Sequence, residues 1–246
     1  MAKPEKFMKQ MRVTCHDGLF RLEAIPFRIA AARAAEKLNI AGDGEDFESL
    51  ERLIAEAEAA GAPRAAYRVS YLDERHDEEV IIDRQRFRSR VLSVNLEKAH
   101  RVFPYVVTCG PELEDWSKRQ SDPLFAYFAD YIKQAALAAS RKFAFGYIKE
   151  TYRLSKFSTM APGSLADWPI QEQRPLFDLL GPVRETTGVV LTESFLMLPT
   201  KSVSGILFPT GSSFASCMLC PREHCVGRSA PYDEKLYAEK YRKQAG

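Results

Sequence analysis

No apolar run in this chain approaches the ~18–20 residues that a membrane-spanning helix requires, which speaks against a membrane protein. Charge of one sign is also lacking: 35 Lys and Arg stand against 33 Asp and Glu, a net +2. That field is too weak to argue for nucleic acid or a lipid surface as partner. No Gly-rich phosphate loop is present, and no nucleophile, base and orienting residue stand at a recognisable hydrolase spacing. Histidine is scarce, with 4 in 246 residues, so imidazole-rich metal sites have little to draw on. The opening Met-Ala-Lys-Pro-Glu-Lys-Phe-Met-Lys-Gln lacks the apolar centre of a signal peptide, and a reducing cytoplasm is the expected location. What is present suits a folded chain, since 46% hydrophobic residues can build one good-sized core or two small ones.

Cysteine is the exception to this even composition. Three of the five fall within nine residues, as Cys217-Met-Leu-Cys220-Pro-Arg-Glu-His-Cys225. An odd, clustered set fits metal binding better than a disulfide framework. A Cys-x2-Cys turn aims two thiolates at one point, and a third after a short Pro-containing loop closes on the same centre. Three readings follow: an iron–sulfur cluster such as 4Fe-4S, a structural zinc, or packed thiols without metal. The fourth ligand is not obvious. His224 adjoins Cys225, so both reach one ion only if the backbone turns sharply. Cys109, at the end of an apolar run, is a better candidate than Cys15 in Cys15-His16-Asp17.

Alanine-rich sequence predicts a helix over about 26 to 38, with Pro26 at its start. A stripe of Phe47, Leu50, Ile54 and Ala57 predicts a second over about 47 to 60, capped by Asp46 and stopped by Gly61 and Pro63. Alternation around Tyr67, Val69 and Tyr71, and the run Val80-Ile81-Ile82, predict strands on either side of a charged turn. Val102 to Thr108 is a further strand, Pro111 starts a helix through Trp116, and about 123 to 151 is the central core helix. After an irregular stretch from Phe157 to Pro169, a short helix over Glu172 to Leu180 ends at Gly181-Pro182. Residues 189–198 and 202–208 are expected to pair as a β-hairpin, and Tyr232 to Gln244 to form a charged surface helix. The linear division expected is a helical segment over 1–64, a main domain over 65–210, and a Cys-rich loop with its terminal helix over 211–246.

Ala161-Pro162-Gly163, Leu176-Phe-Asp-Leu-Leu-Gly181, Leu191-Thr-Glu-Ser-Phe195 and Ser202-Val-Ser-Gly205 stand in an order and spacing that resembles the activation domain of cobalamin (vitamin B12)-dependent methionine synthase. Val107-Thr-Cys-Gly-Pro-Glu-Leu-Glu114 and the long helix after it look like the stand-alone members of that superfamily. The resemblance implies an α+β fold with a twisted, mainly antiparallel sheet and flanking helices. It further implies a partner, a corrinoid-binding methyltransferase or methionine synthase whose cob(II)alamin is returned to service by an electron donor and a methyl group from S-adenosylmethionine. Ala161, Pro162, Gly163 and Glu193 are its implied ligand-binding residues, and the chain would be an activation-type methyltransferase component of methionine biosynthesis. The family arginine before Ala-Pro-Gly and tyrosine after it are replaced here by Thr159, Met160 and Ser164, so weak or absent S-adenosylmethionine binding is expected. An iron–sulfur cluster on Cys217, Cys220 and Cys225 would relay the electron. The alternative is a non-catalytic module for corrinoid-protein binding or assembly, with a structural zinc.

Overall fold

Strands β1 (Arg12–His16) and β2 (Leu19–Glu23) lead into helices α1 (Ala31–Leu38) and α2 (Glu45–Ala60). Strands β3 (Arg64–Arg68), β4 (Ser70–Arg75), β5 (Glu79–Ile82) and β6 (Gln85–Arg88) follow, then α3 (Arg90–Asn95) and β7 (Arg101–Thr108). Helices α4 (Pro111–Lys118) and α5 (Pro123–Thr151) come next, then β8 (Phe157–Met160), α6 (Gln173–Leu180), α7 (Val183–Thr187), β9 (Val190–Leu191), β10 (Met197–Leu198) and β11 (Ser202–Pro209). This is an α+β fold whose registered strand pairs are antiparallel. The computed structural model describes residues 12–211, 214–225 and 227–242, so the Met1–Gln10 start and the last positions of the expected terminal helix lie outside the described residues. None of the helices described is long and apolar enough to cross a membrane.

The chain divides into two compact units built from interleaved stretches: residues 1–66, 106–147 and 182–203 in the first, and 67–105, 148–181 and 204–246 in the second. In the first unit, Asp17 and Gly18 both take positive φ and close the β1–β2 hairpin. That is the turn an Asp-Gly pair favours, and the sequence reading passed over it. Helix α1 begins five residues beyond Pro26 and ends where Asn39 turns left-handed. Helix α2 is not capped by Asp46, which lies inside its first turn with Glu45 and Glu48; these carboxylates complement the helix dipole. Its buried face, Leu50, Leu53, Ile54 and Ala57, packs toward α1 and α4. The Asp122 carboxylate caps α5 by accepting from Leu124 N at 2.8 Å.

In the second unit β4 pairs with β7 and β5, and β5 with β6 across a turn in which Asp83 and Arg84 both have positive φ. Phe157 to Met160, expected to be irregular, is a strand: β8 pairs antiparallel with β11, Ile206 opposite Met160. The expected hairpin between 189–198 and 202–208 is therefore corrected. Thr192 N donates to Leu196 O at 2.8 Å, Thr192 Oγ1 accepts from Leu196 N at 3.0 Å, and Phe195 takes φ +63, so the apolar run folds back on itself as β9–β10. The terminal segment is corrected as well. It contains a single π-helical turn, Tyr237–Tyr241, and Tyr241 is fully buried rather than on a charged surface. The Tyr241 hydroxyl donates to Asn95 Oδ1 at 2.8 Å, and the Arg90 guanidinium binds Tyr241 O and Arg242 O.

Candidate functional site

The Ala161-Pro162-Gly163 turn leaves the end of β8 in the second unit. Gly163 has φ +79, and a Cβ there would stand 2.7 Å from Ile170 Cδ1, so both conformation and space call for glycine. Its N–H donates to Trp168 O at 2.7 Å. Ser164 donates twice to Ala161 O, from N at 3.1 Å and from Oγ at 2.6 Å. The Gly163 and Ser164 donors are thus engaged within the 161–168 loop itself. Met160, one of the residues standing where the family arginine is absent, points into the core and receives the Asn95 side-chain amide on its sulfur at 3.5 Å.

Two carboxylates hold this loop in place. Asp167 accepts from Val91 N at 3.0 Å, from Arg90 N at 3.3 Å and from the Ser89 hydroxyl, while Ser89 Oγ accepts from Leu92 N at 2.9 Å. The open end of α3 is therefore capped by a loop far from it in sequence. Glu172 accepts from Arg88 N at 3.0 Å. Between these anchors Trp168 is fully buried, edge-on to Phe87 at 6.2 Å.

The cysteine loop begins against this turn, with Ser216 Oγ 3.4 Å from Ser164 Oγ. Phe214 N donates to Ser158 Oγ at 3.2 Å and Asp233 N to Met218 O at 2.9 Å, which tie down the two ends of the loop. Cys217 Sγ accepts from Ser229 N at 3.4 Å and Ser229 Oγ at 3.5 Å. Burial raises the Cys217 pKa, but the Ser229 hydroxyl and amide, the Ala230 amide and the Arg228 charge outweigh it, and the net direction is down. Cys217 and Cys220 are half-buried, and Cys225 and His224 are exposed. The chemistry of the donors suits a soft metal. Their arrangement does not: among the described residues no group of three or more His, Cys, Asp or Glu could hold a metal ion.

The other expected residues lie elsewhere. Cys109 belongs to the first unit and is fully buried; burial pushes its thiol up to about 12, with Lys133 acting weakly in the other direction. Its Sγ donates to Gly110 O at 3.6 Å. Cys15 is exposed on β1, opposite Phe20. Glu193 sits not within a strand but in the exposed β9–β10 turn of the first unit, whereas Ala161, Pro162, Gly163 and the three clustered cysteines belong to the second. Asp167, Arg228 and Ser229, which shape the turn and the loop, went unread. Ala-Asp-Trp-Pro and Gly-Arg-Ser carry no spacing signal that marks them.

Residues 118–217 match the family model of the vitamin B12 dependent methionine synthase activation domain. That match covers 100 of the chain's 246 residues. The matched segment spans α5, β8, the Ala-Pro-Gly turn and β11, and it ends at Cys217; Cys220 and Cys225 fall beyond it. In fold the chain is similar to the crystal structure of the MetH reactivation domain bound to AdoHcy, with a TM-score of 0.54, 21% identity, and 83% of this chain and 82% of that chain covered. At this identity the likeness speaks for the fold. No curated protein matches the chain.

Proposed function

We propose that this chain reactivates a corrinoid-carrying methyltransferase, of which cobalamin-dependent methionine synthase is the type, after its cofactor has been oxidised to cob(II)alamin. The observation that carries this reading is the activation-domain match over residues 118–217, the stretch that contains the Ala161-Pro162-Gly163 turn. The overall chemistry balances as cob(II)alamin, one electron and S-adenosylmethionine giving methylcobalamin and S-adenosylhomocysteine. The AdoHcy bound by the MetH reactivation domain is the reason to consider S-adenosylmethionine as the methyl source here. Ala161, Pro162 and Gly163 are the proposed contact. The turn has spent its own donors, so a ligand carboxylate would need a guanidinium from elsewhere; Arg153 and Arg174 are exposed in the same unit as the turn.

An external electron donor supplies the electron in this proposal. The finer reading, an iron–sulfur cluster on Cys217, Cys220 and Cys225, requires the loop to rearrange before three sulfurs meet, and no step is routed through it. Iron, sulfide and zinc analysis of protein purified without oxygen tests that reading on its own. A docking or assembly module is the second reading, favoured by the internally satisfied turn.

The deciding experiment mixes the chain, without oxygen, with a corrinoid methyltransferase in the cob(II)alamin state, an electron donor and S-adenosylmethionine. Absorbance should show cob(II)alamin lost and methylcobalamin formed only when the chain is present. Stable association without any change in the corrinoid spectrum would favour the module. No association at all would overturn both readings.

A further inference from the structure

The cysteine loop is gathered by an arginine. One terminal nitrogen of Arg228 donates to Cys217 O at 3.1 Å and Ala230 O at 3.2 Å; the other donates to Cys220 O at 3.2 Å and to Arg222 O. The Arg228 amide donates to Cys225 O at 3.1 Å. Bonds from one residue thus reach positions 217, 220, 222, 225 and 230, which is the whole span of the cysteine motif and the turn after it. A guanidinium is suited to this, because it is permanently charged and offers a rigid fork of N–H donors. Carbonyl oxygens converging on one positive centre is also how an oxygen-lined loop holds a cation. Here a side chain of the chain itself supplies the charge.

The sulfurs are used differently from the carbonyls. Cys217 Sγ accepts hydrogen bonds from Ser229, Cys225 faces solvent, and the described residues contain no three-ligand group for a metal. We infer that Arg228 folds this loop in place of a metal ion, so that the loop is complete while its three thiols are free of any metal. Arg228 is then a positioning residue, acting through the main chain on where Cys217 and Cys220 stand. This inference goes beyond the reactivation reading and does not depend on it.

The test is amide hydrogen exchange over residues 217–230 of the full chain under reducing conditions, with iron and zinc content measured on the same samples. Wild-type protein stripped by a chelator should keep the slow exchange it had before stripping. Arg228→Gln should speed exchange in this segment by at least about tenfold, the effect of losing even one charge-assisted hydrogen bond, and leave β8 and β11 unchanged. Arg228→Lys, which keeps the charge and loses the fork, should fall between the two. The triple change Cys217→Ser, Cys220→Ser and Cys225→Ser should behave as wild type. Loosening of the segment on chelation, or in the triple variant, would overturn the inference, as would an Arg228→Gln segment as protected as wild type. Should Arg228→Gln fail to fold, the chelation of wild-type protein decides the matter without any substitution.

Discussion

Gly205 and Met160 lie so close that a Cβ on Gly205 would stand 2.3 Å from the Met160 carbonyl oxygen, with the Tyr105 hydroxyl 2.9 Å away. Neither side can yield cheaply, because the next residue, Ile206, is in register with Met160 in the β8–β11 pair. The glycine of Ser202-Val-Ser-Gly205 is thereby explained by strand approach. Gly205→Ala should cost about 1–3 kcal/mol of stability. The urea midpoint checks this, and an unchanged midpoint would mean that β8 shifts freely.

Trp168, Phe195 and Met197 lie on the 158–168 loop and the 193–205 stretch, the face that the activation-domain resemblance implies would close over a corrinoid. Trp168 is fully buried, so Trp168→Ala should destabilise the fold by about 3–5 kcal/mol rather than affect docking selectively. On the β9–β10 hairpin Phe195 and Met197 are half-buried, and it is Leu196 and Leu198 that face out, 62% and 47% exposed. Leu196→Ser and Leu198→Ser should leave the urea midpoint within about 0.5 kcal/mol of wild type. If either leucine contacts the partner, its variant weakens the anaerobic pull-down while the fold stays intact.

Alkaline pH should destabilise the protein through Cys109. Its thiol, ordinarily near 9.0, is raised to about 12 in the fold, chiefly by burial. The folded state therefore keeps a proton that the unfolded state gives up. Stability is fully present below about pH 9 and falls as pH rises toward about 12. Tyr241, raised from 10.0 to about 12 mainly by burial, acts in the same direction. Urea midpoints at about pH 8 and about pH 10.5 should differ less in Cys109→Ala than in wild type. At neutral pH, alkylation followed by mass analysis should label exposed Cys15 and Cys225 and spare Cys109.

S-adenosylmethionine should bind weakly or not at all to the isolated chain. The amides of Gly163 and Ser164 donate to Trp168 O and Ala161 O, and the positions before and after the turn hold Met160 and Ser164 rather than arginine and tyrosine. Calorimetry with up to about 1 mM ligand should show no binding heat. Micromolar affinity would show that residues such as Arg153 or Arg174 rebuild the carboxylate site, and replacing each with Gln would identify which.

Helix periodicity carried far in this chain. The stripe of α2 and the Pro111 and Pro123 starts of α4 and α5 were readable because an apolar face repeats every three or four residues over several turns. The antiparallel α+β class came from the family resemblance that the quoted motifs carry, not from periodicity. Short strands were harder. β6, β8 and the split of 189–198 into β9 and β10 escaped, since Gln-Arg-Phe-Arg and Phe-Ser-Thr-Met are too short and too polar to show alternation, and an apolar run reads alike whether it pairs at long range or turns on a threonine.

The sequence by itself determined the long helices α2 and α5, the family motifs and the clustering of three thiols, because these are matters of residue type and spacing. Tertiary structure alone decided what those thiols do. Whether Cys217, Cys220 and Cys225 meet depends on how the backbone between them turns, and that turn is set by Arg228 reaching across to carbonyls as far apart in sequence as Cys217 and Ala230. Only the fold, likewise, brought Asp167 to the open end of α3 and left Cys109 protonated in the core. Hydrogen bonds between distant residues and the loss of solvent on burial leave no trace in local spacing.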